Sequence, residues 1–242
     1  MSIEPLRMSV GDIEVEVVRK RIKNLHLGVY PPFGRVRVAA PEGVSNEAVR
    51  LAIITRMAWI KRQKAKFAAQ VRQSERAYLS GETHFHFGQR YRLRVVERRG
   101  AGSVRLLHGD RIELSVPPGS DGTYREKVVR GWQRRELRVR AEPLIDKWAE
   151  AMGGCRPLLG IKRMKTKWGS CNPPSARIWL NLELAKKPPD CVEYLVIHEM
   201  AHFIHPNHGE RFIALMDRCM PRWRIVRDEL NASPLAHEDW DY

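Results

Sequence analysis

Four of the nine histidines fall between residues 198 and 208, and two of them bracket a glutamate in the run His198-Glu199-Met200-Ala201-His202. On a helix of 3.6 residues per turn, His198 and His202 lie one turn apart and only about 40° from each other, so both imidazoles reach the same ion. Glu199 sits beside them. There its carboxylate can contact a metal-bound water without displacing it, which is what a general base for hydrolysis requires. The chemistry implied is metal-assisted hydrolysis at one zinc ion per chain.

A catalytic zinc usually takes three protein ligands and keeps a fourth position for water. His205 shares the histidine face, but on a straight helix it would stand about 10 Å from His198, too far for one tetrahedral ion. Pro206 and Asn207 interrupt the helix and Gly209 frees the chain to turn, so His208 can fold back toward the metal. His208 follows His202 by the six-residue interval of the H-E-x-x-H-x-x-G-x-x-H zinc proteases, with His205 where that pattern has glycine. His208 is therefore the preferred third ligand and Glu210 the carboxylate alternative. His205 is left to support a ligand or touch substrate. Tyr194, on the histidine face, is a candidate oxyanion donor or a core residue, and Trp168 either lines the cleft or packs beneath a turn.

These groups need a helix to hold them. Asp190 and Glu193 suit a capping box after Lys187-Pro188-Pro189, and the helix should run to about His205, with Val192, Val196, Met200 and Phe203 facing the core. Strands are expected at Gly160–Thr166 and Arg177–Leu184, the second offering an edge to extended substrate, and short helices at Gly209–Met220 and Arg222–Leu230. Upstream, strands at Ile13–Val18, Leu25–Val29 and Val36–Ala39 precede a Ser45-capped helix ending near Ser80-Gly81. More strands lie between His84 and Val116, with His84 and His86 as ordinary residues of one strand face. A second helical stretch runs from Thr123 to Met152, kinked or restarted at Pro143 and stopped by Gly153-Gly154. The sequence shows no internal repeat.

The net charge is +15 with a pI near 10.1. Residues 1–150 hold 30 basic against 17 acidic residues, a net of +13, whereas residues 151–242 hold 13 against 11, a net of +2. Lys127, Arg130, Arg134 and Arg138 form a basic helical stripe, a candidate nucleic-acid contact or a solvated face. Four irregularly spaced cysteines read as reduced thiols. The apolar runs are too short to span a bilayer and the N-terminus has no secretory signal pattern, so a cytoplasmic protein without membrane contact is expected.

The runs Lys165-Thr166-Lys167-Trp168-Gly169-Ser170-Cys171, Leu180-Asn181-Leu182-Glu183-Leu184 and Tyr194–His202, followed by Asn207-His208 and Phe212, resemble the YgjP-like metallopeptidases, relatives of the SprT-like and WLM zinc proteases. The resemblance implies a zinc-dependent peptidase with ligands His198, His202 and His208 and with Glu199 as base, acting on protein or peptide. The expected architecture is α+β. A basic, strand-rich part with two long helical stretches (1–152) precedes a compact zincin-like domain (153–242). The competing reading is a nucleic-acid-binding module with a structural zinc.

Overall fold

The computed structural model describes residues 6–30, 34–69, 76–164 and 167–232. The fold is α+β, with six α-helices among the described residues and three mixed sheets, and the chain divides into two compact units between Gln73 and Ser74. No described helix is long and apolar enough to cross a membrane.

In the first unit, β1 (Leu6–Val10), β2 (Ile13–Lys20), β3 (His26–Tyr30) and β4 (Arg35–Pro41) form a sheet in the order β1-β2-β4-β3. Its outer pairs are antiparallel and its central pair, β2 with β4, is parallel. Period-two alternation buries Ile13, Val15 and Val17 on one face, where Val49, Ile53 and Ile60 cover them. Helix α1 (Asn46–Thr55) starts as expected, Ser45 Oγ accepting from the Ala48 N–H at 3.2 Å. It stops at Arg56, which leaves helical geometry, and α2 (Met57–Ala69) begins anew. The single helix expected up to Ser80-Gly81 is thus two; residues 70–75 lie outside the described residues, and 76–82 are not helical.

The second unit opens with β5 (Thr83–His86), β6 (Gln89–Glu97), β7 (Ser103–Leu106) and β8 (Arg111–Val116), ordered β5-β6-β8-β7. The pairings again run antiparallel, parallel, antiparallel. The two sheets therefore repeat one topology that the sequence does not betray, because alternation of apolar and polar residues can be written with many different side chains. Helix α3 (Gly122–Met152) follows, capped by Asp121, whose carboxylate accepts from the Tyr124 N–H at 2.7 Å, and ended by Gly153 in the left-handed region. It passes through Pro143 as one helix. Val129 and Trp132 in its first half pack on Leu93, Ile112 and Leu114 of the sheet.

The second half of α3 belongs to another core. Leu137, Ala141, Ile145 and Trp148 join the side chains of α4 (Pro189–Ala201), α5 (Glu210–Cys219) and α6 (Trp223–Ala232) with the sheet β10-β11-β9. Its strands are β9 (Leu158–Lys162), β10 (Gly169–Asn172) and β11 (Arg177–Asn181). This sharing corrects the expected division at 152/153: a cut there would strip α3 from the core that seats α4. Strand β11 ends at Asn181, where a 3-10 turn (Leu182–Lys186) begins, and it lies between β9 and β10, so it offers no edge to substrate. The expected Asp190 cap is also absent. Pro188 precedes α4 without a side-chain cap, Asp190 pairs with Arg222, and Glu193 accepts from Lys147 at 2.8 Å and the Trp148 indole at 3.1 Å.

Leu137 is fully buried on the α3 face toward α4. Leu137→Ala should cost about 2–5 kcal/mol of stability, read as a lower midpoint in urea unfolding. An unchanged midpoint would argue against the shared core.

Candidate active site

The C-terminal end of α4 carries His198, and His202 is its C-cap. The chain then turns through Pro206 and enters α5 after Gly209, which brings His208 back. One ring nitrogen from each of His198, His202 and His208 lies within 4.8 Å of the others. His198 Nε2 and His208 Nε2 are 3.2 Å apart. The Phe212 ring, four residues on, sits 4.7–5.1 Å from all three imidazole centroids and forms the apolar floor under them.

The rings are held in a ligand-competent form. Burial and the neighbouring histidines push His198 down to about 4, and burial lowers His202. Both imidazoles are therefore neutral at pH 7, leaving lone pairs free. The Nδ1–H of His202 points at the His205 carbonyl oxygen, 3.2 Å away, which orients the ring and turns Nε2 toward the other two histidines. His205 thus serves through its backbone, and its ring lies outside the ligand group. Glu210 is exposed on the first turn of α5 and also lies outside it.

Glu199 is buried, with 5% exposure, against β10. A Cβ at Gly169 would stand 2.8 Å from its Cγ and 2.9 Å from its Cδ, and nearer still to Oε1, so only glycine lets the carboxylate lie there. Burial drives the Glu199 carboxyl up to about 7, with Lys167 opposing the shift. A carboxyl balanced at that value can take or give a proton near neutrality. Cys171 faces the same region; burial, then the Glu199 charge, raises its thiol to about 11, so it stays protonated and is a poor ligand.

Two hollows flank these groups. The larger, about 430 Å³, is lined by Ser170, Cys171, Pro173 and Pro206 together with all three histidines, and the smaller, about 250 Å³, by Trp168, Tyr194, Arg227 and Asn231; His198, Glu199, Gly169 and Lys167 border both. Trp168 does both things the sequence allowed: it walls the smaller hollow and packs on the core. Tyr194 is buried, stacks on Trp223 with centroids 6.3 Å apart, and lies 5.7 Å from the His198 ring. Burial pushes its phenol up to about 12, keeping it a donor.

The other expected residues lie apart from this cleft. Of the helical stripe, Arg130 pairs with Glu126 and Arg138 with Glu142, which leaves Lys127 and Arg134 exposed. His84 and His86 are buried strand residues beside Glu82 and Trp132. Sequence reasoning missed the role of Gly169, the Phe212 floor and the Lys167 position. The only signal for them was that all three stand in the runs that carry the family resemblance, which assigns them no position in the site.

Comparison with known proteins adds the family. Residues 23–233 match the family described as YgjP-like, metallopeptidase domain. The metallopeptidase zymogen of Pyrococcus abyssi abylysin is similar over 37% of this chain and 90% of its own, at 21% identity and a TM-score of 0.35. No curated protein matches the chain.

Glu199 ionises near 4.5 in an unfolded chain and near 7 in the folded one, so metal-free protein loses stability as pH rises through that window. Glu199→Gln carries no such loss. Relative to the unsubstituted metal-free chain, it should gain up to about 3 kcal/mol between pH 5 and pH 8. Thermal unfolding at the two pH values reads this directly, and an equal Tm difference at both would contradict the assignment.

Proposed function

The chain belongs to the YgjP-like metallopeptidase family, and on that footing we propose that it hydrolyses peptide bonds of protein substrates at one zinc ion, with Glu199 as general base. The observation that carries this reading is the convergence of three imidazoles, His198, His202 and His208, beside a buried carboxylate at the wall of an open cleft. Three nitrogen donors in reach of one ion suit zinc and leave a position for water. Among the described residues no fourth side chain joins them, which favours the enzyme over a closed structural site.

Zinc held by these histidines would supply a Lewis acid for the scissile carbonyl and a water acidic enough to attack at neutral pH. Glu199 accepts the proton of the attacking water and then hands it to the leaving amine. Its raised proton affinity suits the second transfer, and the close fit over Gly169 fixes the carboxylate for both. Tyr194, which lines the smaller hollow beside His198, would donate its phenolic proton toward the oxygen of the tetrahedral species. Strand β10, at the edge of its sheet and lining the larger hollow, presents backbone to an extended peptide, which would hold substrate without reading its sequence. A reducing compartment such as the cytoplasm belongs to the same proposal, since Cys155, Cys171, Cys191 and Cys219 are free.

Glu199→Gln should retain zinc and lose at least about 10³-fold in cleavage of an unfolded protein such as casein, while His202→Ala should lose both. Zinc content by elemental analysis and casein cleavage on the same samples are the readouts. Full activity in the Glu199→Gln protein would sink the mechanism.

A further inference from the structure

Strand β6 reads Gln89-Arg90-Tyr91-Arg92-Leu93-Arg94-Val95-Val96-Glu97. Tyr91, Leu93 and Val95 pack toward α3, so the strand's alternation sends Arg90, Arg92 and Arg94 to the other face. The register extends this row across the sheet. Arg92 is opposite Arg111 on β8, and Glu113 on β8 is opposite both Arg94 on β6 and Arg105 on β7. Arg98, just past β6, reaches the same carboxylate at 3.6 Å. One solvent face of one four-stranded sheet therefore carries six arginines around a single glutamate.

That glutamate does not neutralise the face. Arg105 donates to Glu113 at 2.7 and 3.0 Å and holds its carboxyl below the usual range, while Arg94, at 3.9 Å, is a looser partner. The side chains of Arg94, Arg98 and Arg105 remain more than half exposed. Arg90, Arg92 and Arg111 are exposed and have no carboxylate partner among the described residues. Arg90 lies over the Phe85 ring at 5.7 Å, and Arg92 donates to the Gly81 carbonyl at 3.3 Å. A face kept only for solubility mixes both signs and uses lysine freely, whereas this one is arginine throughout. Arginine offers a planar fork of donors matched to phosphate, and along a strand alternate guanidiniums recur at somewhat under 7 Å.

We propose that this sheet face binds the phosphate backbone of nucleic acid without reading sequence. The remainder of the face is polar at Thr83, Ser103 and Ser115, with Phe85 and Val96 half-buried among them. It has no apolar wedge for a lipid surface and no row of aromatic rings for base stacking. The expected occupant is a polyanionic backbone held by charge, with the steep salt dependence that follows from counterion release. The helical stripe on α3 is a lesser contributor, because two of its four cations are already paired.

The test uses the full chain and a labelled single-stranded DNA of about 20 nucleotides, followed by fluorescence anisotropy across a salt series. Binding in the micromolar range at low salt is expected, weakening steeply as salt rises. Arg90→Ala, Arg92→Ala and Arg111→Ala together should weaken it at least tenfold and reduce the salt slope by about 2–3. Arg111→Glu alone, a milder change to an exposed side chain, should weaken it at least threefold. Lys127→Ala with Arg134→Ala should change it less than threefold, and casein cleavage should be unaffected in all of these variants. No binding at 50 mM salt would overturn the proposal. So would wild-type affinity in either sheet variant, or capture by anionic lipid vesicles in place of DNA. None of these outcomes bears on Glu199→Gln, so the peptidase reading stands or falls separately.

Discussion

The close approach of Glu199 to Gly169 is the contact on which the site depends. A carboxyl that is to act as the base proposed above must be dry enough to hold a proton near neutrality yet open to the cleft on one side. Lying over the one residue that lacks a Cβ meets both demands, because the backbone of β10 shields the carboxylate and leaves its open side to the cleft. The same contact sets the distance between α4 and β10, and hence the width of the cleft itself. Phe212 completes the arrangement from the other side, its buried ring packing against all three imidazoles.

What the sequence revealed and what it hid divide along a physical line. His198, Glu199 and His202 are legible because one helical turn fixes their relation, and the return of His208 follows from Pro206 and Gly209. Period-two alternation likewise marks β2 and β4. Features set by distant partners stay hidden. Asp190 reads as a cap, but Arg222 takes its carboxylate; Glu193 reads as the reciprocal half of that cap, but the indole of Trp148 and the ammonium of Lys147 claim it. The division after Gly153 fails for the same reason: a helix stop is local, whereas the assignment of Leu137 and Ile145 to the core around α4 is not.

Charge shows the same pattern. The excess of basic residues is plain in the composition, yet the segment that concentrates it is not the helical stripe a wheel projection suggests. Arginines on β6, β7 and β8 gather on one face only through strand register, which no single strand's sequence reports. The repeated strand order of the two four-stranded sheets is invisible for a related reason, since topology constrains which positions are buried but not which apolar residue fills them.

Helix α3 spans 31 residues, about 46 Å of continuous rod, with one half bedded on the arginine-bearing sheet and the other in the core that holds α4. Neither half has a loop in which to flex. A rod anchored at both ends works as a ruler: a polyanion bound at the sheet as proposed would be held at a set offset from the cleft. The place of a cut on a bound assembly would then be chosen by reach and not by the residues flanking the bond.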